Sequence, residues 1–350
     1  MKPNVATKNT TAFKSKQVVK KLLSVLVPRA RDVIASRYGL GENAKRLTLE
    51  SIGKKYGITR ERVRQIENYS LEHIRKSKEH KETLPVFEEL YSKIDAMGGM
   101  ISEGEFLETF AKDDSGKNHI HFLLVIGEHF SKEKEDENFK DRWHIDSELA
   151  EKIHTSLKKV YEDLSNEDLV AEADFIGTFL NEIKDIAEKY KNEEIIKRWL
   201  SLSKKIGRNS LGEWGRSDSS NINARGMRDY AFLVIRKHGS PIHFRDVAES
   251  ITKVFSKKAH VATTHNELIK DARFVLVGRG LYALAEWGYM SGVVRDVIKK
   301  VLDKHGPLTK QEIIDKVLKE RYVKENTIVV NLQNPKIFKK DKEGQYYSVS

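Results

Sequence analysis

Residues Thr48 to Glu67 read TLESIGKKYGITRERVRQIE and leave the chain few ways to fold there. Leu49, Ile52 and Tyr56 fall at i, i+3 and i+7, on one face of a helix. Gly57 breaks that period where a tight turn needs a backbone free to take positive φ. Thr59 follows as an N-cap, its hydroxyl placed to accept from amides of the next turn. In the second run, Arg60-Glu61-Arg62-Val63-Arg64-Gln65-Ile66-Glu67, only Val63 and Ile66 turn inward, at i and i+3. The rest of its first two turns is long, polar and mostly basic. This pattern describes a helix-turn-helix whose second helix is held by an apolar seam and offers hydrogen-bonding side chains at its N-terminal end. Arg60 and Arg64 suit guanine O6/N7, Gln65 suits adenine N6/N7, and Glu61 can accept from cytosine N4. These four are the candidate base contacts. Thr48, Lys54, Lys55, Thr59 and Arg62 are the candidate contacts to the DNA backbone. A solvated face laced by Arg60, Glu61 and Arg64 at i+3 and i+4 spacings is the competing reading.

Upstream, Val27 to Leu40 reads VPRARDVIASRYGL. Together with the helix-turn-helix, up to about Leu71, it resembles region 4 of the bacterial sigma-70 family. The resemblance implies that Arg60, Glu61, Arg64 and Gln65 meet the –35 promoter element in double-stranded DNA. It also implies a contact with the flap of the RNA polymerase β subunit through the head's apolar cleft. Two departures count. The family commonly follows Glu67 with a small residue and a Lys, where this chain has Asn68-Tyr69, so contacts through that Lys do not carry over. Only about 25 residues precede the motif, so the aromatic-rich region that melts the –10 element in a full sigma factor is not expected here.

Charge divides the chain into three blocks. Residues 1–80 carry 19 Lys+Arg against 7 Asp+Glu, a net +12; residues 81–222 carry 20 against 31, a net –11; residues 223–350 carry 24 against 14, a net +10. Basic ends suit phosphate, and the acidic middle does not. The absence of cysteine removes disulfides, thiolate metal sites and thiol catalysis, and fits a reducing cytoplasm. No apolar run approaches the roughly 20 residues that span a bilayer, so no membrane partner is expected. LLSVLV after Lys20-Lys21 mimics a signal peptide but is six residues long and reads better as a short amphipathic helix beginning near Ser15.

The remaining chain reads as one plan used repeatedly. Val293 to Val349 predicts an amphipathic helix, a second helix capped by Thr309, a third starting near Lys324, and a hairpin of IFKK and QYYS closed through Gly344. Met227 to Trp287 repeats it about 65 residues earlier, with Gly278 and Gly280 bracketing Arg279 at a wing tip. Fainter copies fill the middle, closing on Trp143 and on Trp214. The fold expected is therefore mainly α: a helix-turn-helix head followed by tandem winged-helix modules, each three helices plus a β-hairpin. The expected boundaries are a disordered basic tail over 1–14, the head over 15–80, winged helices over 85–146, 227–288 and 292–350, a helical or winged-helix module over 147–216, and a linker over 217–226. HFRDVAESI and FVLVGRGLYAL in residues 227–287 resemble the HARE helix-turn-helix domain, a winged-helix family that includes the N-terminal domain of the RNA polymerase delta subunit. Lys257, Lys258, His265, Asn266, Lys270 and Arg279 form a candidate second DNA surface there.

Catalysis finds no foothold in the sequence. Gly39 to Ala44 matches GxGxxA, but a helix rather than a strand precedes it, so it reads as a helix C-terminus. His119 and His121 point about 200° apart on a helix, so together with His129 they read as surface or wing contacts. Glu133 to Glu137 reads as a loose acidic loop, unsuited to acid–base work because nothing buries it. No cofactor, metal or enzymatic activity is expected. The function expected is that of a sequence-specific DNA-binding transcription regulator, or a sigma-like accessory factor acting with RNA polymerase. The alternative is a winged-helix scaffold on the transcription machinery whose C-terminal array has no DNA specificity.

Overall fold

The computed structural model describes residues 14–349, so the tail expected over 1–14 lies outside them apart from Lys14. Helices dominate, with short sheets of two or three strands. Two compact units form. One holds the described residues up to Ser165 with Val170–Gly207; the other holds Asn166–Leu169 with the described residues from Arg208 onward.

The first unit opens with α1 (Ser15–Leu23), α2 (Pro28–Tyr38), α3 (Leu49–Tyr56), α4 (Arg60–Arg75) and α5 (Lys78–Glu82). Pro28 occupies the first turn of α2, where its missing amide costs nothing. Gly39 ends that helix at φ 66°, the C-terminus that the glycines of this loop led us to expect. Next come α6 (Leu84–Ala96), β1 (Met100–Ser102), α7 (Glu103–Phe110), α8 (Asp114–Ile126), β2 (Ser131–Glu133) and β3 (Arg142–His144). The three strands pair antiparallel in the order β1-β3-β2, with Ile101 and Lys132 both opposite Trp143.

Sequence reading separates 15–80 from 85–146, but the structure joins them around one core. Helix α8 is buried nearly all round, from Asn118 through Leu124 and again at Ile126, and such a helix needs cover on every side. The head supplies much of it: Val19, Leu22, Ile34, Tyr38, Leu71 and Ile74 share a core with Phe87, Leu90, Ile120, Phe122, Leu123 and Ile126. Polar ties fasten both ends of α8. Near its start, Asn118 Nδ2 donates to the carbonyls of Gly39 (3.0 Å) and Ala44 (2.7 Å) and its Oδ1 accepts from Arg46 Nε (2.6 Å). At its end, Arg75 of α4 donates to the carbonyls of Ile126 (3.1 Å) and Val125 (2.7 Å), a cation capping a helix C-terminus.

Burial also corrects two expectations about ionisable groups. His119 and His121 are not on the surface: both are buried on α8, the first 2.6 Å from the Ser115 carbonyl and the second 3.3 Å from Glu103. Only His129 of that trio is exposed, edge-on to Tyr91. Burial pushes the Glu103 carboxyl up, yet His121 and Lys132, the latter at 2.5 Å, outweigh it and hold that pKa well below the ordinary value. The acidic loop is likewise not loose. Glu133 (2.6 Å) and Asp136 (3.2 Å) converge on the buried Arg142, whose Nε donates to His154 (2.7 Å). This arrangement neutralises a buried guanidinium, which could not otherwise stay desolvated.

Further along come α9 (Ser147–Asp163), β4 (Val170–Ala171), α10 (Glu172–Glu182), α11 (Glu193–Leu200), β5 (Ile206–Arg208) and β6 (Glu213–Arg216). Helix α10 stops at Glu182, and a single 3₁₀ turn, Glu188–Tyr190, follows before α11.

In the second unit, α12 (Met227–His238), β7 (Ile242–His243), α13 (Phe244–Phe255), α14 (Val261–Lys270), β8 (Phe274–Gly278) and β9 (Leu281–Leu284) share a core, with strand order β7-β9-β8. Then α15 (Val294–His305), α16 (Lys310–Glu320), α17 (Glu325–Leu332), β10 (Phe338–Lys340) and β11 (Tyr346–Ser348) enclose another. Arg321 donates to the carbonyls of Met290 and Gly292, both at 2.6 Å, and the Tyr322 amide donates to Val277 at 2.7 Å, so the two sets of elements are tied together. Residues 217–226 are not an exposed linker. Ser219, Asn221 and Ile222 are buried, and Ser219 Oγ donates to the Asn166 carbonyl at 2.6 Å. The polar composition of this stretch serves turns that hydrogen-bond to the fold rather than solvent.

Candidate nucleic-acid interface

Local chemistry builds the helix-turn-helix. Thr48 Oγ1 accepts from the Ser51 amide (3.1 Å) and starts α3; Thr59 Oγ1 accepts from the Arg62 amide (3.1 Å) and starts α4. Gly57 lies between them at φ 64°. Val33, Ile52 and Val63 form a small core closed by Leu47, Leu49, Tyr56, Ile58 and Ile66, the faces expected from the period. Gly53 escaped sequence reading. It sits inside α3, and a Cβ there would lie 2.6 Å from the Ile58 carbonyl oxygen, so only glycine lets the turn come this close. A glycine in mid-helix was the available signal. Gly53→Ala is expected to cost about 1–3 kcal/mol through overpacking, read as a lower urea midpoint. A raised midpoint, the outcome of helix propensity acting alone, would contradict the close approach.

The four candidate base contacts all lie exposed on α4. At about 100° per residue, Arg60, Glu61, Arg64 and Gln65 fall within a sector of roughly 140°, opposite Val63 and Ile66. In the free protein this face is partly self-paired. Arg64 grips Glu61 in a two-pronged bond of 2.7 and 2.9 Å, and Arg62 donates to Gln65 Oε1 at 3.0 Å. The Arg64 hydrogen bond and charge hold the Glu61 carboxyl below its ordinary pKa. Such exposed pairs are worth little and open readily for a better partner. Lys54 pairs with Glu50 at 3.0 Å and Lys55 lies over the Tyr56 ring, both at the outer edge of α3. The hydroxyls of Thr48 and Thr59 are engaged as caps; that of Thr59 still carries a proton to donate, while that of Thr48 also shares a hydrogen bond of 2.9 Å with Ser51 Oγ.

Of the second candidate surface, Lys257 and Lys258 are exposed in the loop between α13 and α14, and Asn266 and Lys270 are exposed on α14. Arg279 is exposed at the β8–β9 turn, where it and Gly280 both take positive φ (51° and 79°) as a two-residue hairpin loop of type I′ requires. His265 departs from expectation. It is half-buried, its ring stacked 4.3 Å from Phe244, because α14 leans that side chain back on the start of α13.

Comparison with known proteins bears on the head. Residues 22–76 match the family described as Sigma-70, region 4. The chain is 50% identical over 54 residues to RNA polymerase sigma factor SigA1 of Synechococcus elongatus, covering 15% of this chain and 13% of that protein. It is 43% identical over 60 residues to SigA of Clostridium acetobutylicum, 17% of this chain and 16% of that one. To the principal sigma factor HrdD of Streptomyces coelicolor it is 44% identical over 55 residues, 16% of each. The chain thus spans less than a fifth of the length of these relatives. Its head is similar to region 4 of sigma factors. Among the described residues no helix is long and apolar enough to cross a membrane.

Proposed function

We propose that this chain is a non-enzymatic, sequence-specific DNA-binding transcription factor that reads promoter-like duplex DNA through its head, in a cytoplasmic setting. The observation that carries this reading is the exposed face of α4, where Arg60, Glu61, Arg64 and Gln65 stand together opposite the helix's apolar seam. Under this reading Thr48, Lys54, Lys55, Thr59 and Arg62 serve phosphates. The names of the relatives place them with RNA polymerase, and we infer that this chain also acts beside the polymerase. The flap contact that the resemblance implied is not part of this reading. Leu22, Ile34, Tyr38, Leu71 and Ile74, on the head's apolar side, are already packed with α6 and α8.

The order helix, strand, two helices, hairpin supports reading 85–146 and 227–288 as winged helices; the HARE type of the second rests on the resemblance of HFRDVAESI and FVLVGRGLYAL alone. The elements of 147–216 and 294–348 follow a similar order. In 227–288, Lys257, Lys258, Asn266, Lys270 and Arg279 form a second DNA surface under this reading. One observation favours protein docking there instead: Val261 and Ile269 of α14 and Leu276 of β8 are large apolar side chains left 41%, 63% and 46% exposed, which a phosphate-facing surface does not call for. A salt titration of the full chain on duplex DNA tests both. Log K should fall linearly with log salt, and Lys257→Glu, Lys258→Glu and Arg279→Glu together should flatten that slope by about two or more. No binding at low salt would sink the DNA reading as a whole. Binding whose slope the reversals leave unchanged would make the C-terminal array a docking platform.

A further inference from the structure

We infer that Asn68 is a fifth base-reading residue, one that selects an adenine at the far end of the DNA element; this rests on the assignment of α4 as the reading helix. Asn68 lies three residues beyond Gln65, four beyond Arg64 and seven beyond Glu61, so it continues the same face of α4. It is exposed, and among the described residues its amide joins no hydrogen bond, unlike Glu61, Arg64 and Gln65 below it. One turn higher the face reaches Glu72, held by Lys76 at 2.7 Å and about 18 Å from Arg60 along the axis, where a straight helix leaves the curving groove. Asn68 therefore ends the stripe.

Its chemistry is particular. Asn is a poor helix former in mid-helix because its side chain competes for the backbone, so it does not serve the stability of α4 there. Its amide can donate to a phosphate as other uncharged side chains do, but that role would leave its acceptor unused. Its amide presents one donor and one acceptor side by side, the match for adenine N6 and N7. At about 1.5 Å per residue it stands about 12 Å from Arg60 along the axis. With the helix lying along the groove, that is about three to four base pairs at roughly 3.4 Å each.

Selection of bound duplexes from a random pool, using the full chain, tests this. Wild type should select an A·T pair at the end of the element opposite the position governed by Arg60. Asn68→Ala should erase the preference at that pair alone, by roughly 5- to 150-fold. Alanine favours the exposed helix, so folding is retained. Asn68→Asp should move the preference toward cytosine, whose N4 donates to a carboxylate. An Asn68→Ala consensus identical to wild type, in an experiment where Arg60→Ala does change it, overturns this inference alone. Equal weakening on every sequence overturns it too, by making Asn68 a phosphate contact. Failure of wild type to select any sequence overturns it together with the reading of the head.

Discussion

Phe122→Ala is expected to cost about 3–5 kcal/mol of stability and to take DNA binding with it, although Phe122 lies more than fifty positions from the reading face. Its ring is 0% exposed and meets Tyr38 of the head edge-on at 5.1 Å. Around it, α8 and the helices of the head share one core. A natural domain has only about 5–15 kcal/mol to lose, so removing this ring should leave the unit marginal near 37 °C. Because the core is common, the head cannot keep its shape while the rest melts. Urea unfolding followed by circular dichroism, and loss of binding to labelled duplex followed in parallel, should share one midpoint that moves down in the variant. A fragment of residues 15–80 should bind weakly and unfold without cooperativity, since Leu71, Ile74 and Tyr38 would lose their cover. A fragment that melts cooperatively at the midpoint of the whole chain would contradict the shared core.

Features written in short-range chemistry were legible in the sequence. The cap at Thr59, the left-handed Gly57 and the inward pair Val63 and Ile66 each depend on neighbours within a turn or two, and the structure has them where the residues placed them; the cap at Thr48, written in the same chemistry, went unread. The hairpin glycines around Arg279 belong to the same class. What sequence reading missed was set by partners far along the chain. Leu71 and Ile74 do not announce that they will meet Ile120 to Ile126, so a domain boundary was expected where a core runs through. His121 looks like any surface histidine until α8 is surrounded. Arg142 draws an acidic loop into order only once β3 has buried it. Strands β1 and β7, three and two residues long, carry no alternation to read. The half-burial of His265 depends on Phe244, twenty-one positions away, and Gly53 mattered for a backbone contact that no period encodes.

The second large effect concerns the reading face itself. Arg60→Ala should cost on the order of 1–3 kcal/mol on the preferred duplex, and Gln65→Ala about as much. Both truncations remove an exposed side chain, so the fold should be untouched. On random duplex the loss should be far smaller, because phosphate contacts carry non-specific affinity. Lys54 sits at the edge of α3, paired only with the exposed Glu50. Lys54→Ala should therefore weaken specific and random duplexes alike and lower the salt slope by about one.

The most direct test is equilibrium binding of the full chain to its selected duplex and to a scrambled one at a single salt concentration, for wild type, Arg60→Ala, Gln65→Ala and Lys54→Ala. The ratio of the two affinities should collapse toward one in the first two variants and survive in the third. Equal losses on both duplexes in all three variants would contradict base reading by α4.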